Sequence, residues 1–91
     1  MSTVCTHLDT IQHTEIPEVR VCEACLAIGS TWVHLRLCTT CGLIACCDDS
    51  PNRHMTAHFH AEGHPVIRSA ERGEDWFWCY LDEVAFLAEQ R

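Results

Sequence analysis

Two Cys-x2-Cys pairs constrain the fold of this chain more than any other feature of its sequence. The first pair is CEAC at residues 22–25, and the second is CTTC at residues 38–41. A tight turn brings both sulfur atoms of such a pair to one side, at the separation that tetrahedral zinc requires. A stretch with two cysteines and four histidines follows at residues 46–64, CCDDSPNRHMTAHFHAEGH. Two pairs with histidines downstream predict zinc sites, whereas one pair alone is a weak signal.

The cysteine content favours metal binding over disulfide formation. Eight cysteines allow many disulfide pairings, but a disulfide framework does not require histidines interleaved at ligand spacings. The first residues, MSTVCTHLDT, lack the basic start and the apolar segment of a secretory signal. We therefore expect a cytoplasmic protein, in which disulfides rarely persist. No apolar run approaches the about 18 residues of a membrane span.

The size of the chain also favours a metal. Its 91 residues suit one domain, 1–91. The hydrophobic fraction of 47% includes all eight cysteines, so the apolar core is thin for a chain of this length. Small domains with thin cores usually need disulfides or a metal for stability. We therefore expect a small zinc-stabilised domain.

Four strands are predicted, two of them from alternating hydrophobicity. In TWVHLRL, residues 31–37, every second side chain is aliphatic, which is typical of a strand with one buried face. The aliphatic set is Val33, Leu35 and Leu37, and the opposite set is Trp32, His34 and Arg36. Further strands are predicted at residues 42–46, 65–69 and 75–81. The last of these strands places Trp76, Trp78 and Tyr80 on one face and Phe77, Cys79 and Leu81 on the other.

Two helices are predicted beside these strands. One covers residues 53–62, after the turn signal DSPN. The other covers residues 82–90, with two acidic residues in its first turn, where they favour the helix dipole. Its inner stripe is predicted to be Val84, Leu87 and Ala88. The segment CEACLAIG, residues 22–29, is predicted to be a metal-binding knuckle that ends in a short turn.

A longer series of motifs extends the metal-binding pattern over most of the chain. It comprises CTH (5–7), CEAC (22–25), CTTCG (38–42), Cys46, HMTAH (54–58), His64 and WCY (78–80). Together these motifs resemble the ubiquitin-specific-protease (UBP) type zinc finger over residues 5–86. The resemblance implies an α+β fold, with a twisted antiparallel sheet of about four or five strands flanked by two helices. The CCDDSP turn and the WVHLRLC strand are similar to a stand-alone, bacterial branch of that family.

The resemblance also implies ligand sets for three Zn²⁺ ions. One set is Cys22, Cys25, Cys46 and His54. A second set is Cys38, Cys41, His58 and His64. A third set is Cys5, His7, Cys79 and Asp82. The remaining histidines, His13, His34 and His60, receive no metal.

Several of these assignments have alternatives. The family usually carries a cysteine where Asp82 stands; a carboxylate can bind zinc, but Asp82 could also merely begin the last helix. Cys47 could replace Cys46 as a ligand, because its spacing to His54 suits the pattern from the other end. Histidines four residues apart on a helix, such as His54 and His58, commonly share one metal, whereas the resemblance assigns them to different ions.

The sequence does not predict an enzyme. Each expected site has four protein ligands, whereas catalytic zinc keeps an open position for water. The chain carries no nucleophilic serine motif and no paired general acid and base. The one spare thiol is that of Cys47, and we expect Asp48 and Asp49 to oppose a low pKa for it.

A peptide-binding role is predicted instead. Family members that bind ubiquitin hold its C-terminal carboxylate with the arginine of a Cys-Gly-Arg turn. Here Asp48 takes the place of that arginine and would repel a carboxylate, so ordinary ubiquitin binding is not expected. Arg36, with the aromatic side chains of Trp32, Trp78 and Tyr80, would form a replacement cleft for the C-terminus of a protein or peptide. The packing alternative is that these aromatics, and Trp76 above all, lie under a helix and that Arg36 stacks on them.

The charge of the chain bears on its partners. The formal net charge is −7, and the six basic residues form no run. Nucleic acid is therefore an unexpected partner, since phosphate binding needs clustered Lys and Arg. Two further functions stay open: a structural or regulatory zinc-stabilised subunit of a larger assembly, and a thiol-responsive protein that uses Cys47.

Overall fold

Five short strands and two helices make up the described part of the protein. The structure is a computed structural model, and it describes residues 5–18 and 20–87. The helices are α1 (Glu23–Ala27) and α2 (His54–Glu62), and a 3-10 turn covers Leu8–Thr10. The strands are β1 (Leu35–Cys38), β2 (Ile44–Cys46), β3 (Val66–Ser69), β4 (Trp76–Cys79) and β5 (Val84–Leu87). The predicted α+β class is confirmed.

The five strands form one antiparallel sheet in the order β2-β1-β3-β4-β5. Arg36 pairs with Ala45 on one side and with Ser69 on the other. Ile67 pairs with Cys38 and with Trp78. Because paired residues share a face of a sheet and faces alternate along a strand, one face carries the side chains of Arg36, Ile67, Trp76 and Trp78.

All four predicted strands are present, but each is shorter than predicted. The largest difference is at the first strand, which begins at Leu35 and not at residue 31. Leu35 and Leu37 are buried and Arg36 is half-buried, so the predicted alternation holds within the strand. Val33 is 54% exposed, because it precedes the sheet and has no partner strand to cover it.

The predicted helix over residues 82–90 is wrong. Residues 84–87 form strand β5, which pairs with β4 from Trp76↔Leu87 to Cys79↔Val84. A turn closes this hairpin, in which the Glu83 amide donates to the Cys79 carbonyl at 2.7 Å. Val84 and Phe86, not Val84 and Leu87, pack against the core, while Ala88 lies outside the described residues. Cross-strand packing on β4 outweighs the helix-start signal of the two acids.

The helix predicted at residues 53–62 is confirmed as α2. It begins after Arg53, whose φ of 46° is left-handed, and ends at Gly63, whose φ is 74°. Glycine takes this conformation without steric cost, which makes it a common residue after a helix. The second helix of the fold is α1, within the predicted knuckle. Both helices contact β2, which is an edge strand of the sheet.

Cysteines form a large part of the interior. Among the described residues, fifteen apolar side chains are buried, and seven of them are cysteines. The other eight include two alanines and six larger side chains: Leu35, Leu37, Met55, Val66, Ile67 and Phe77. No helix within residues 5–18 and 20–87 has the length and hydropathy to cross a membrane.

Candidate metal centres and binding cleft

The first donor cluster joins both helices to the end of β2. Its members are Cys22, Cys25, Cys46 and His54, whose ligand atoms lie within 4.8 Å of one another. The Nδ1 atom of His54 lies 3.4 Å from the sulfur of Cys22, 3.3 Å from that of Cys25 and 3.5 Å from that of Cys46. The sulfurs of Cys25 and Cys46 are 3.8 Å apart. All three thiols are fully buried.

The second cluster joins the end of β1 and the turn after it to the middle of α2 and the loop that follows α2. Its members are Cys38, Cys41, His58 and His64. The sulfur of Cys38 lies 3.4 Å from His64 Nδ1, and that of Cys41 lies 3.4 Å from His58 Nε2. The two ring nitrogens are 3.2 Å apart. Cys41 is exposed, so one side of this cluster faces solvent.

The third cluster attaches the N-terminal segment to the β4–β5 hairpin. Its members are Cys5, His7, Cys79 and Asp82. His7 Nδ1 lies 3.4 Å from the Cys79 sulfur and 3.1 Å from Asp82 Oδ2. The same carboxylate oxygen also accepts hydrogen bonds from Thr6, at 2.6 Å from its amide and 2.9 Å from its hydroxyl. Asp82 therefore faces the cluster from the hairpin turn, with Thr6 holding it there.

The distances within the clusters match a tetrahedral zinc ion. Zinc–sulfur bonds of about 2.3 Å and zinc–nitrogen bonds of about 2.0–2.1 Å give tetrahedral edges of about 3.8 Å for S···S, 3.5 Å for S···N and 3.3 Å for N···N. The first cluster has an S···S separation of 3.8 Å and S···N separations of 3.3–3.5 Å. The N···N separation in the second cluster is 3.2 Å. These separations in the first and second clusters therefore fit a tetrahedral zinc ion.

The surroundings of the thiols also suit a bound cation. Burial, together with the neighbouring thiols of Cys22 and Cys46, raises the pKa of Cys25 to about 11. Three thiolates can share such a cluster at neutral pH only if a cation balances them. Backbone amides donate to sulfur as well: that of His54 to Cys46 at 3.1 Å, and that of Asp82 to Cys79 at 3.4 Å. These bonds stabilise the thiolate form that binds metal.

The structure distinguishes between the alternatives that the sequence left open. It places Cys46 in the first cluster and Cys47 outside all three of these clusters. It places His54 and His58 in different clusters, although they lie one turn apart on α2. Among the described residues, His13 and His60 belong to no donor cluster.

A cleft of about 230 Å³ lies on the sheet face that carries Arg36. Its lining is aromatic and charged, and comprises Arg36, Cys47, Asp48, Asp49, Ile67, Trp76, Trp78 and Tyr80. The structure thus brings three of the predicted peptide-binding residues together. Trp32 packs against the core and does not line the cleft.

Arg36 occupies the cleft in a defined position. Its guanidinium carbon lies 4.6 Å from the centre of the Trp76 ring, within the range of a cation–π contact. One Nη atom donates to its neighbour's carbonyl, that of Leu35, at 2.9 Å. This stacking is what the packing alternative predicts, yet Trp76 and Arg36 both line the cleft and are only half-buried. The contact orients the guanidinium and leaves it at the cleft wall.

No sequence motif indicates the role of Thr56. Its hydroxyl lies 2.5 Å from Asp48 Oδ1 and 3.0 Å from the hydroxyl of Tyr80. The Tyr80 ring also stacks on Phe59, with ring centres 4.4 Å apart. Helix α2 therefore fixes both Asp48 and Tyr80 at the edge of the cleft. No sequence pattern links these positions, since the contact depends on how α2 lies over the sheet.

The environment of Cys47 differs from the prediction. Burial raises the pKa of its thiol, but hydrogen bonding to the Ser50 hydroxyl and to neighbouring backbone groups, with the charge of Arg36, lowers the pKa by more. The pKa of Cys47 is therefore lowered, although the adjacent acids were expected to oppose a low pKa. The thiol is only 4% exposed, which restricts its access to solution oxidants.

Comparisons with known proteins agree with this geometry. Residues 22–89 match the model of a family described as a zinc finger in ubiquitin-hydrolases and other proteins. The solution NMR structure of protein RPA1320 from Rhodopseudomonas palustris is similar, with a TM-score of 0.80 and 54% sequence identity. That match covers 96% of this chain and 84% of the other, and confirms the predicted similarity to a small bacterial protein. A search of curated proteins found no match. The chain belongs to the UBP-type zinc-finger family and is a zinc-binding module.

Proposed function

We propose that this chain is a peptide-binding module whose fold is held by three structural zinc ions. Its ligand is the free C-terminus of a protein or peptide, bound in the cleft on the sheet. One cleft is lined by Arg36 and by three aromatic side chains, those of Trp76, Trp78 and Tyr80. This arrangement is the main support for the proposal. A cation between aromatic walls suits a carboxylate at the end of a peptide.

The three zinc ions have a structural role in this proposal. Each donor cluster supplies four protein ligands, which closes the coordination shell and leaves no position for a substrate. The clusters connect segments that are distant in sequence: Cys22 to His54, Cys38 to His64, and Cys5 to Cys79. Bound zinc would therefore hold both helices and the N-terminal segment on the sheet.

Arg36 is the group that would bind the carboxylate. A guanidinium carries five N–H donors in a planar fork, which matches a carboxylate with two charge-assisted hydrogen bonds. Within the described part of the chain, the one acceptor that its side chain contacts is the Leu35 carbonyl. Several donors are therefore free for a ligand. Stacking on Trp76 also restricts the rotamers of Arg36, which lowers the entropic cost of binding.

Asp48 makes the selectivity of this cleft different from that of an arginine-bearing cleft. Its carboxylate is fixed by Thr56 at 2.5 Å, and it lines the cleft together with Asp49 and Arg36. Two acids and one base leave the cleft with a net negative charge. A ligand must therefore place its carboxylate at Arg36 and a hydrogen-bond donor or a cation near Asp48. A ubiquitin tail that placed its C-terminal carboxylate next to Asp48 would not meet this requirement, because the two negative charges repel each other.

The test is a fluorescence titration with matched pairs of short peptides, each pair differing only in a free or an amidated C-terminus. The Trp32→Phe protein is used, so that emission comes from the two cleft tryptophans. Saturable binding of free-carboxylate peptides is expected, with affinity reduced at least about tenfold by amidation or by Arg36→Ala, the loss of one charge-assisted hydrogen-bonded pair.

Arg72→Ala is the matched control, since Arg72 is exposed and does not line the cleft. It should bind like the parent protein. Equal binding of free and amidated peptides would contradict carboxylate recognition. No binding of any peptide, together with a partner that co-purifies in constant ratio, would instead favour a structural subunit of a larger assembly.

A further inference from the structure

Three side chains outside the zinc clusters form a fourth group of metal-binding donors. They are His34, Cys47 and Asp49, and their ligand atoms all lie within 4.8 Å of one another. His34 and Asp49 are exposed, whereas Cys47 is buried. None of the three residues belongs to the ligand sets described above.

The register of the β1–β2 hairpin accounts for the approach of His34 to Cys47. Leu35 pairs with Cys46, Arg36 with Ala45 and Leu37 with Ile44. The next pair outward in this register is His34 and Cys47, and the Cys47 amide donates to the His34 carbonyl at 3.0 Å. Paired residues on an antiparallel ladder project from the same face, with Cβ atoms about 4.5–5.5 Å apart. The pairing of the two strands therefore places the His34 imidazole next to the Cys47 thiol.

A second hydrogen bond fixes the turn that carries Asp49. The Val33 amide donates to the hydroxyl of Ser50 at 2.8 Å, and Ser50 is buried. The backbone on both sides of the group is thus held in place. The ligand atoms lie within 4.8 Å of one another, and tetrahedral edges of about 3.3–3.8 Å fall inside that limit. The exposed side chains of His34 and Asp49 are free to rotate into such a geometry around an ion.

The donor types specify the class of ion. One thiolate, one imidazole and one carboxylate are borderline ligands that suit Zn²⁺ better than Mg²⁺ or Ca²⁺, which prefer all-oxygen sites. Three protein ligands leave one coordination position open. The nearby Asp48 favours a cation, whereas Arg36, which also lines the cleft, opposes one. Affinity should therefore be lower than at the three four-ligand clusters.

We propose that His34, Cys47 and Asp49 form a fourth, weaker zinc site with an open coordination position. Cys47 and Asp49 line the cleft, so an ion held by them lies at its wall. A donor atom of a molecule in the cleft could complete its coordination. The site does not depend on the proposed peptide function, because the ion is held by residues of this chain alone.

The test counts bound ions by native mass spectrometry of the full chain during a titration with Zn²⁺. The wild-type protein is expected to bind one ion more than His34→Ala or Asp49→Asn, and this ion should bind last. His60→Ala and Asp75→Asn are matched controls, because both residues are exposed and belong to no donor cluster. The controls should bind as many ions as the wild type.

Co²⁺ in place of Zn²⁺ gives a second readout. Filling of the fourth site should add thiolate-to-cobalt charge-transfer absorption, and Cys47→Ser should lose this last increment while it keeps the earlier ones. Equal ion counts in the wild type, His34→Ala and Asp49→Asn would overturn the proposal. So would a Co²⁺ titration of Cys47→Ser that is identical to that of the wild type.

Discussion

Cys46 and Cys47 are adjacent in the chain, but their thiols lie in different environments. Cys46 ends β2 and contacts His54 and Cys25 in the first cluster. Cys47 points to the opposite face of the sheet, toward Ser50 and the cleft. Alternation along a strand requires this separation, since successive side chains leave opposite faces. Only one of the two cysteines can serve the first zinc.

The two serine variants should therefore behave differently. Cys46→Ser removes a ligand from a structural site, where zinc contributes on the order of 10 kcal/mol to folding, and a loss of several kcal/mol is a large share of the stability of a small domain. We expect Cys46→Ser to lose one tightly bound zinc and to unfold or melt far below the wild type. Cys47→Ser should keep all tightly bound zinc and lose about 1–2 kcal/mol at most. Zinc content and thermal unfolding of both variants test this, and equal loss in both would contradict it.

Asp82 is the one carboxylate among the donors of the three clusters. Thiolate binds zinc more strongly than a carboxylate oxygen does, and the family commonly has cysteine at this position. Asp82→Cys should therefore slow the release of zinc from the third cluster to a competing chelator, whereas Asp82→Ala should accelerate it. The control is Asp75→Ala, which removes an exposed acid outside the clusters. If Asp82→Cys and Asp82→Ala both release zinc at the rate of the wild type and the control, Asp82 is not a ligand.

The sequence predicts the donors better than it predicts their surroundings. Ligand spacing is local, so the motifs around Cys22, Cys38 and His54 are visible without a structure. The bridge from Asp48 through Thr56 to Tyr80 joins three separate elements, and its formation depends on tertiary packing. The approach of Asp49 to His34 is likewise visible only when the hairpin register is known.

At the scale of secondary-structure elements, β5 shows how a partner strand overrides a local signal. Residues 84–87 follow two acids and have no strong strand pattern of their own. Their exposure alternates between half-buried and exposed, and Phe86 stacks on Phe77 with ring centres 5.3 Å apart. An unpaired edge of β4 would leave its backbone groups without partners, so hairpin pairing is the more stable arrangement.

Variants of β5 test this hairpin. Phe86 packs against the group that includes Cys5, Phe77 and Cys79, so Phe86→Ala should lower the free energy of unfolding by about 2–3 kcal/mol, less than for a fully buried phenylalanine. Leu87→Ala should cost less than about 1 kcal/mol, since Leu87 is 49% exposed. Denaturant unfolding of the two variants measures both values. A larger cost for Leu87→Ala than for Phe86→Ala would contradict the register.

At the scale of the whole molecule, the interior divides between apolar side chains and metal-binding donors. Seven of the fifteen buried apolar residues in the described ranges are cysteines, and six of these seven lie in the three donor clusters. The remaining apolar core is small, and domains of this size are marginal without an added constraint. Composition alone predicts this dependence on metal, although the sheet order and the cleft follow only from the three-dimensional arrangement.

Removal of zinc shows whether metal binding holds this fold together. The fresh protein is analysed for zinc, treated with an excess of a strong chelator under reducing conditions, and followed by circular dichroism and thermal unfolding. We predict that zinc release abolishes the native spectrum and the cooperative transition, and that added Zn²⁺ restores both. A zinc-free polypeptide that keeps its native spectrum and melting temperature would contradict the account.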